Sequence, residues 1–230
     1  MDRNCSVMGF LGVDKYEYIM YLSRVLYHLG KNVLMVDCSE SGALASCFLC
    51  PEGIKNEIME YRGVRFLDGR NSMDIDTFMD SKNMPAANKY DSILIDYGFH
   101  VDEQGLKNCD HLVYVTDQQA HNIRRVSKFI HLKDKQVNLI IKNLVNSRIT
   151  PKYIISEINL KHISTKQTYV VYQDELDTNC RMNCQYDGVF RFVKLSSQSK
   201  NVIKGLLVEL LPSITKRELK EAYKKAERGV

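Results

Sequence analysis

The stretch that decides the fold is Cys5-Ser6-Val7-Met8-Gly9-Phe10-Leu11-Gly12-Val13-Asp14-Lys15-Tyr16-Glu17. It opens as a short apolar run of strand length, and Gly9 and Gly12 punctuate a loop before the hydrophobic period changes. Beyond the loop, Ile19, Leu22, Leu26 and Leu29 recur at spacings of three and four, marking one buried helical face. Gly30 follows, a residue suited to a left-handed C-cap. A second apolar run occupies residues 33–36. The order is strand, loop, helix, strand. A loop entering a helix in this way is a natural anion site, because the first N–H groups of a helix have no partner inside it.

Working outward, further strands are predicted at residues 64–67, 92–95, 112–115, 137–141 and 169–172. Helices are predicted at 122–132, 151–158 and 199–211, each reached from a strand by a short connection. Alternation of this kind predicts an α/β fold, doubly wound, with a mainly parallel sheet and helices on both faces. Residues 39–87 and 174–188 carry little periodicity and are read as loops and short helices.

The chain has 230 residues, 44% hydrophobic and 26% charged, which excludes collagen-like, low-complexity and globally disordered classes. Apolar runs such as 206–211 are far shorter than the ~18–20 residues a membrane span needs, and 7–13 is too short for a secretory core. The formal charge is +4, and residues 212–230 hold six basic against three acidic side chains, so the rest is near neutral. A near-neutral body argues against nucleic-acid binding, which needs a clustered basic face. Seven cysteines, an odd number without an export signature, point to a reducing compartment and a cytoplasmic protein. Cys47 with Cys50 and Cys180 with Cys184 offer four thiolates for a zinc or redox module, although the second pair lacks the usual spacing. The reading of the remaining sequence calls for no metal.

The loop resembles the deviant P-loop, G-K-G-G-V-G-K-T-T, of the MinD/ParA-type ATPases, with Gly9, Gly12, Val13 and Lys15 retained. The flanks are similar too. Gly30-Lys31-Asn32-Val33-Leu34-Met35-Val36-Asp37 resembles that family's second strand, and Tyr90-Asp91-Ser92-Ile93-Leu94-Ile95-Asp96 its Walker B strand. Cys109-Asp110-His111-Leu112-Val113-Tyr114-Val115-Thr116 resembles the strand that follows. The resemblance runs from about Cys5 to Leu211, giving a MinD/ParA-like domain over residues 1–211 and a basic helical tail over 212–230.

The departures carry the functional reading. In the family the first loop lysine crosses a dimer to the partner's nucleotide, the second holds the phosphates and the next Thr ligates Mg²⁺; here Phe10 and Tyr16 replace the first and the last. Leu11 and Asp14 stand where glycines let the backbone wrap phosphate. A carboxylate about 4 Å from one phosphate charge costs about 4 kcal/mol at an effective dielectric near 20. Ser39 replaces an activating Asp after Asp37, and Tyr97-Gly98-Phe99 replaces the switch segment after Asp96. The resemblance therefore implies a vestigial nucleotide site made of Gly9, Gly12, Asp14, Lys15, Asp37 and Asp96, with no catalytic residue. Asp14 and Glu17 have capping-box spacing and are expected to satisfy the helix N-terminus themselves. Lys15 then needs an acidic partner, and Asp37 or Asp96 at neighbouring strand ends can supply it.

A pseudo-ATPase of this kind is expected to need no cofactor and to act as a binding or positioning adaptor. Degenerate members of the lineage serve bacterial pilus and secretion machines, which makes a component of such a machine the expected partner. The alternative is an ATP-switched positioning ATPase that uses ATP and Mg²⁺, and a homodimer fits either reading. In the tail, Thr215 and Glu218 form a second capping box, and Leu219, Ala222, Tyr223 and Ala226 form a narrow apolar stripe flanked by Lys216 and Lys220. With only two large apolar side chains the stripe predicts weak or no membrane binding and points to a protein partner docked on Leu219, Tyr223, Lys216 and Lys220.

Overall fold

A computed structural model describes residues 5–48, 58–70, 89–99, 103–128, 137–158, 165–187 and 191–229. Every strand expected from the sequence is present. In chain order the strands are β1 (Ser6–Gly12), β2 (Val33–Asp37), β3 (Met59–Tyr61), β4 (Val64–Asp68), β5 (Ser92–Asp96), β6 (His111–Thr116), β7 (Val137–Leu144) and β8 (Thr165–Tyr172). They form one sheet in the order β3-β4-β2-β5-β1-β6-β7-β8. All pairings are parallel except β3 with β4. The chain winds outward from β1 in both directions, so the switch point of the sheet lies at the C-terminal ends of β5, β1 and β6.

Alternation along the strands divides the core in two. Met8, Phe10, Met35, Leu94, Val113 and Ile140 face one side, under α1 (Tyr16–His28) and the C-terminal helices. Val7, Leu11, Leu34, Ile95, Leu112 and Leu139 face the other, under α2 (Glu103–Lys107), α3 (Ala120–Ser127) and α4 (Pro151–Glu157). Helix α1 ends as expected. Gly30 sits at φ +73°, and the Lys31 N–H donates to the Leu26 carbonyl at 3.0 Å, closing the last turn in a Schellman arrangement.

The remaining helices are α5 (Glu175–Asp187), α6 (Ser197–Leu210) and α7 (Lys216–Ala226). The first replaces the loops and short helices expected over 174–188 by one 13-residue helix. Asp174 receives the Leu176 and Asp177 N–H groups and starts a full helix, whose inward face is carried by Cys180 and Cys184.

The boundary placed at 211/212 also needs correction. Leu211 caps α6 and the Thr215–Glu218 capping box starts α7, as expected. Yet Ala222, Tyr223 and Ala226 are buried in the same core cluster as α1, with Leu219 packed against it. Phe192 links the two, its ring 4.5 Å from Tyr21 and 5.5 Å from Tyr223. Covered by the sheet on one side and α7 on the other, α1 is buried at every residue from Tyr16 to Leu26, not along one face alone. The apolar stripe of α7 is thus an internal surface.

Candidate functional site

At the end of β1, where the anion site is expected, the chain makes several bonds of its own. Strand β1 runs on through the glycine-bearing segment to Gly12, pairing Gly9, Phe10, Leu11 and Gly12 with residues 112–115 of β6. The Gly12 N–H donates to the Gly98 carbonyl at 2.7 Å and the Val13 N–H to the Val115 carbonyl at 3.1 Å. The Gly12 and Val13 amides are therefore engaged with the protein's own carbonyls. Gly12 sits at φ +109°, and a Cβ there would lie 1.9 Å from the Val115 carbonyl oxygen, so glycine is required for the chain to leave the strand. Gly9 serves packing instead: a Cβ would meet Cys109 Sγ at 2.8 Å.

Only Val13, Asp14 and Lys15 separate β1 from α1. Lys15 is the N-cap, and its side chain turns inward. The ammonium lies 2.5 Å from Asp96 Oδ1 and donates to the Gly12 carbonyl at 3.1 Å, with 1% of the side chain exposed. Of the two partners anticipated for Lys15, the structure selects Asp96. Asp96 also accepts the Gly98 N–H at 2.9 Å. Asp37 is wholly buried and accepts from the Ser39 N–H and hydroxyl at 2.9 and 2.6 Å and from the Ala45 N–H at 2.8 Å. Burial first, and the nearby Asp96 second, hold its carboxyl above the usual range.

The self-capping box is not formed. Asp14 is exposed, and its carboxylate accepts from the Ser41 hydroxyl at 3.3 Å. Glu17 turns to Lys142 on β7, whose ammonium is 3% exposed and also donates to the Asp14 carbonyl at 2.7 Å. A buried charge-assisted bond outweighs a solvent-exposed cap, so Glu17 leaves the helix N-terminus. Sequence reasoning missed Lys142. A lysine inside the apolar run Val137–Leu144 was the available signal, since such a charge needs a buried acid.

Around this double lock lies a cleft of about 390 Å³ at the sheet's switch point. Asp14, Glu40 and Asp117 bring three carboxylates to it, against the guanidinium groups of Arg125 and Arg181. Arg125 lies 3.6 Å from Glu40 and stacks 3.7 Å over the Phe99 ring. Asp117 accepts both contacts of the Asn122 amide at 3.0 Å. Lys15 and Lys142 line the cleft with charges already paired behind it. The cleft therefore presents charges of both signs.

Among solved structures, the chain superposes on a ParA family ATPase from Chlorobium tepidum TLS with a TM-score of 0.58 at 18% identity, covering 96% of this chain and 97% of that one. MinD in the MinC:MinD complex of Aquifex aeolicus gives 0.61 at 13% identity, over 91% and 97%. Apo McdA of Cyanothece gives 0.56 at 9% identity, over 95% and 99%. The fold is that of the ParA and MinD ATPases. No protein-family model and no curated protein sequence matches the chain. Measured against the ParA/MinD loop motif, Phe10, in place of the crossing lysine, is fully buried in β1 and cannot reach a second subunit.

The cysteine pairs converge in part. Cys47, in a 3-10 turn at Ala45–Cys47, meets Cys184 of α5, and the hydrogen bond between them, followed by burial, pushes the Cys184 thiol well above its ordinary range. Neutral, buried thiols of this kind are poor zinc ligands. Among the described residues no group of three or more metal-ligating side chains comes together, and Cys50 lies outside them.

Proposed function

We propose that this chain is a MinD/ParA-type protein without ATPase chemistry, working as a binding or positioning adaptor. One observation carries the reading: Lys15, the remaining loop lysine, is paired with the buried Asp96, while the Gly12 and Val13 amides are engaged with carbonyls of the protein itself. For Mg·ATP to bind, Lys15 would have to abandon a buried carboxylate, and β1 would have to unpair at its end. Both changes are costly. Asp37 and Asp96, which match the acids ending the family's second and Walker B strands, organise turns of the protein itself.

The partner class follows from precedent. MinD has been captured in a complex with MinC, and a protein partner is what this precedent favours for the present chain. A pilus or secretion apparatus is the setting the lineage suggests. No helix among the described residues is long and apolar enough to cross a membrane, so recruitment to one would run through that partner. Phosphate release from Mg·ATP tests the reading. The purified protein should show none above buffer, whereas turnover that disappears in Lys15→Ala would establish an active ATPase and overturn it.

A further inference from the structure

Of the charged side chains that line the switch-point cleft, Arg181 alone has no polar partner among the described residues. Lys15 is held by Asp96, Lys142 by Glu17 and Arg125 by Glu40. The Arg181 Nε is buried without a hydrogen bond, and its guanidinium enters no ion pair with a described residue. Four positions earlier on α5 stands an acid, Asp177, at the spacing that ordinarily forms a helical ion pair. Its carboxylate is taken instead by the Ser196 N–H and hydroxyl at 2.6 and 2.7 Å and by the Ser199 hydroxyl at 2.5 Å. The neighbouring phenols of Tyr16 and Tyr18 supply no charge, because burial raises the pKa of both far above the ordinary value. The Tyr16 hydroxyl donates to the Arg181 carbonyl at 3.4 Å, which ties α5 to the start of α1 beside the cleft.

Two acids on the cleft likewise lack a cation among the described residues. Asp14 receives the Ser41 hydroxyl, and Asp117 the Gln119 N–H and the Asn122 amide, all neutral donors. Counting Asp96 and Glu17 behind Lys15 and Lys142, four cations face five acids. One guanidinium and two carboxylates are thus left open to an occupant. A planar guanidinium grips a carboxylate through two parallel hydrogen bonds, and the open acids call for cationic groups on the same occupant. A polyphosphate would set its charge against Asp14, Glu40 and Asp117, whereas a bare cation would leave Arg181 unanswered. At about 390 Å³ the cleft is at the small end of ligand pockets, which span roughly 300–1,000 Å³.

We propose that the cleft binds one basic residue with a free α-carboxylate, an arginine or lysine, with Arg181 taking the carboxylate and Asp14 and Asp117 the cationic groups. A free basic amino acid and a partner chain ending in Arg or Lys share that chemistry. The assignment rests on the adaptor reading, in which no nucleotide fills the cleft, but ligand and nucleotide titrations are separate measurements, so either can fail alone.

Calorimetric titration of the full chain at low salt compares a Gly-Gly-Gly-Arg peptide, its C-terminal amide and free arginine. The peptide with a free carboxylate should bind saturably, and the amide about tenfold or more weaker. Arg181→Gln should erase that preference by weakening the carboxylate form alone, and Asp14→Asn should weaken both forms, with the melting temperature unchanged. The carboxylate and amide forms are compared on the wild type, so the test stands even where Arg181→Gln fails to fold. Free arginine that matches the peptide supports the amino acid as ligand, and a clear advantage of the peptide supports a chain terminus. No saturable binding of peptide or arginine, equal affinity for the carboxylate and amide forms, or tighter binding of glutamate or inorganic phosphate than of arginine would each overturn the proposal. Absence of both peptide and Mg·ATP binding would remove this inference alone, whereas tight binding of Mg·ATP would remove the adaptor reading beneath it.

Discussion

Replacing Lys15 by Met separates a structural lysine from a phosphate-binding one. In an active P-loop the lysine faces its ligand, and the substitution removes turnover at little cost to the fold. Here the ammonium is 1% exposed and its carboxylate partner 2%. At 2.5 Å the pair attracts by roughly 7 kcal/mol at an effective dielectric of 20, and the desolvation of both charges offsets much of that. Removing one partner leaves Asp96 charged, buried and still holding the Gly98 N–H, a situation that costs about 3–5 kcal/mol. At about 2–4 °C per kcal/mol for a chain of this size, the melting temperature should fall by roughly 10 °C. Thermal and urea unfolding at neutral pH would measure the loss, and the double substitution Lys15→Met with Asp96→Leu should recover at least half of it. A loss below about 1 kcal/mol would show that the ammonium is not buried on Asp96, and the vestigial-site account would fail.

Three further outcomes follow from the same geometry. Asp14→Ala should leave the melting temperature unchanged, because Asp14 caps nothing and is exposed; a loss near 1 kcal/mol would restore the self-capping loop. Asp37 has a raised pKa in the fold, so its protonation favours the folded state: that contribution is complete below the ordinary carboxylate pKa and is lost as pH rises through the raised value. Urea titrations of wild type and Asp37→Asn should therefore shift in favour of wild type as pH falls from neutral towards 4. Tyr223→Ala should cost about 3–5 kcal/mol, and truncation after Leu211 should abolish cooperative unfolding measured by circular dichroism, whereas a stable truncated body would return α7 to the role of a separate tail.

The sheet was legible because a parallel strand buried on both faces reads as a nearly continuous apolar run, as β1, β2, β5, β6 and β7 do. Strand β3 was not. It has three residues at the sheet edge, and its hairpin turns at Arg62, which takes φ +50° where Asn or Asp would have signalled the turn. Helix α5 escaped because its inward side chains are cysteines among polar neighbours, which leave a faint period. The site was readable only in its losses. Phe10, Asp14 and Tyr16 marked departures from the family's loop, but local spacing favoured Asp14 and Glu17 as a cap. The partner that overrode that preference, Lys142, lies 125 residues away from Glu17. Likewise, the stripe of Leu219 and Tyr223 looked like a docking surface because nothing in the sequence says that α1 has a second apolar side to cover.

The central claim is that this fold has replaced its nucleotide with internal bonds, and calorimetric titration of the full chain with Mg·ATP and Mg·ADP tests it most directly. With Lys15 held by Asp96 and the β1 amides paired, neither nucleotide should give saturable heat below about 1 mM, a free energy weaker than about −4 kcal/mol. Saturable binding of Mg·ATP with low-micromolar affinity would contradict it.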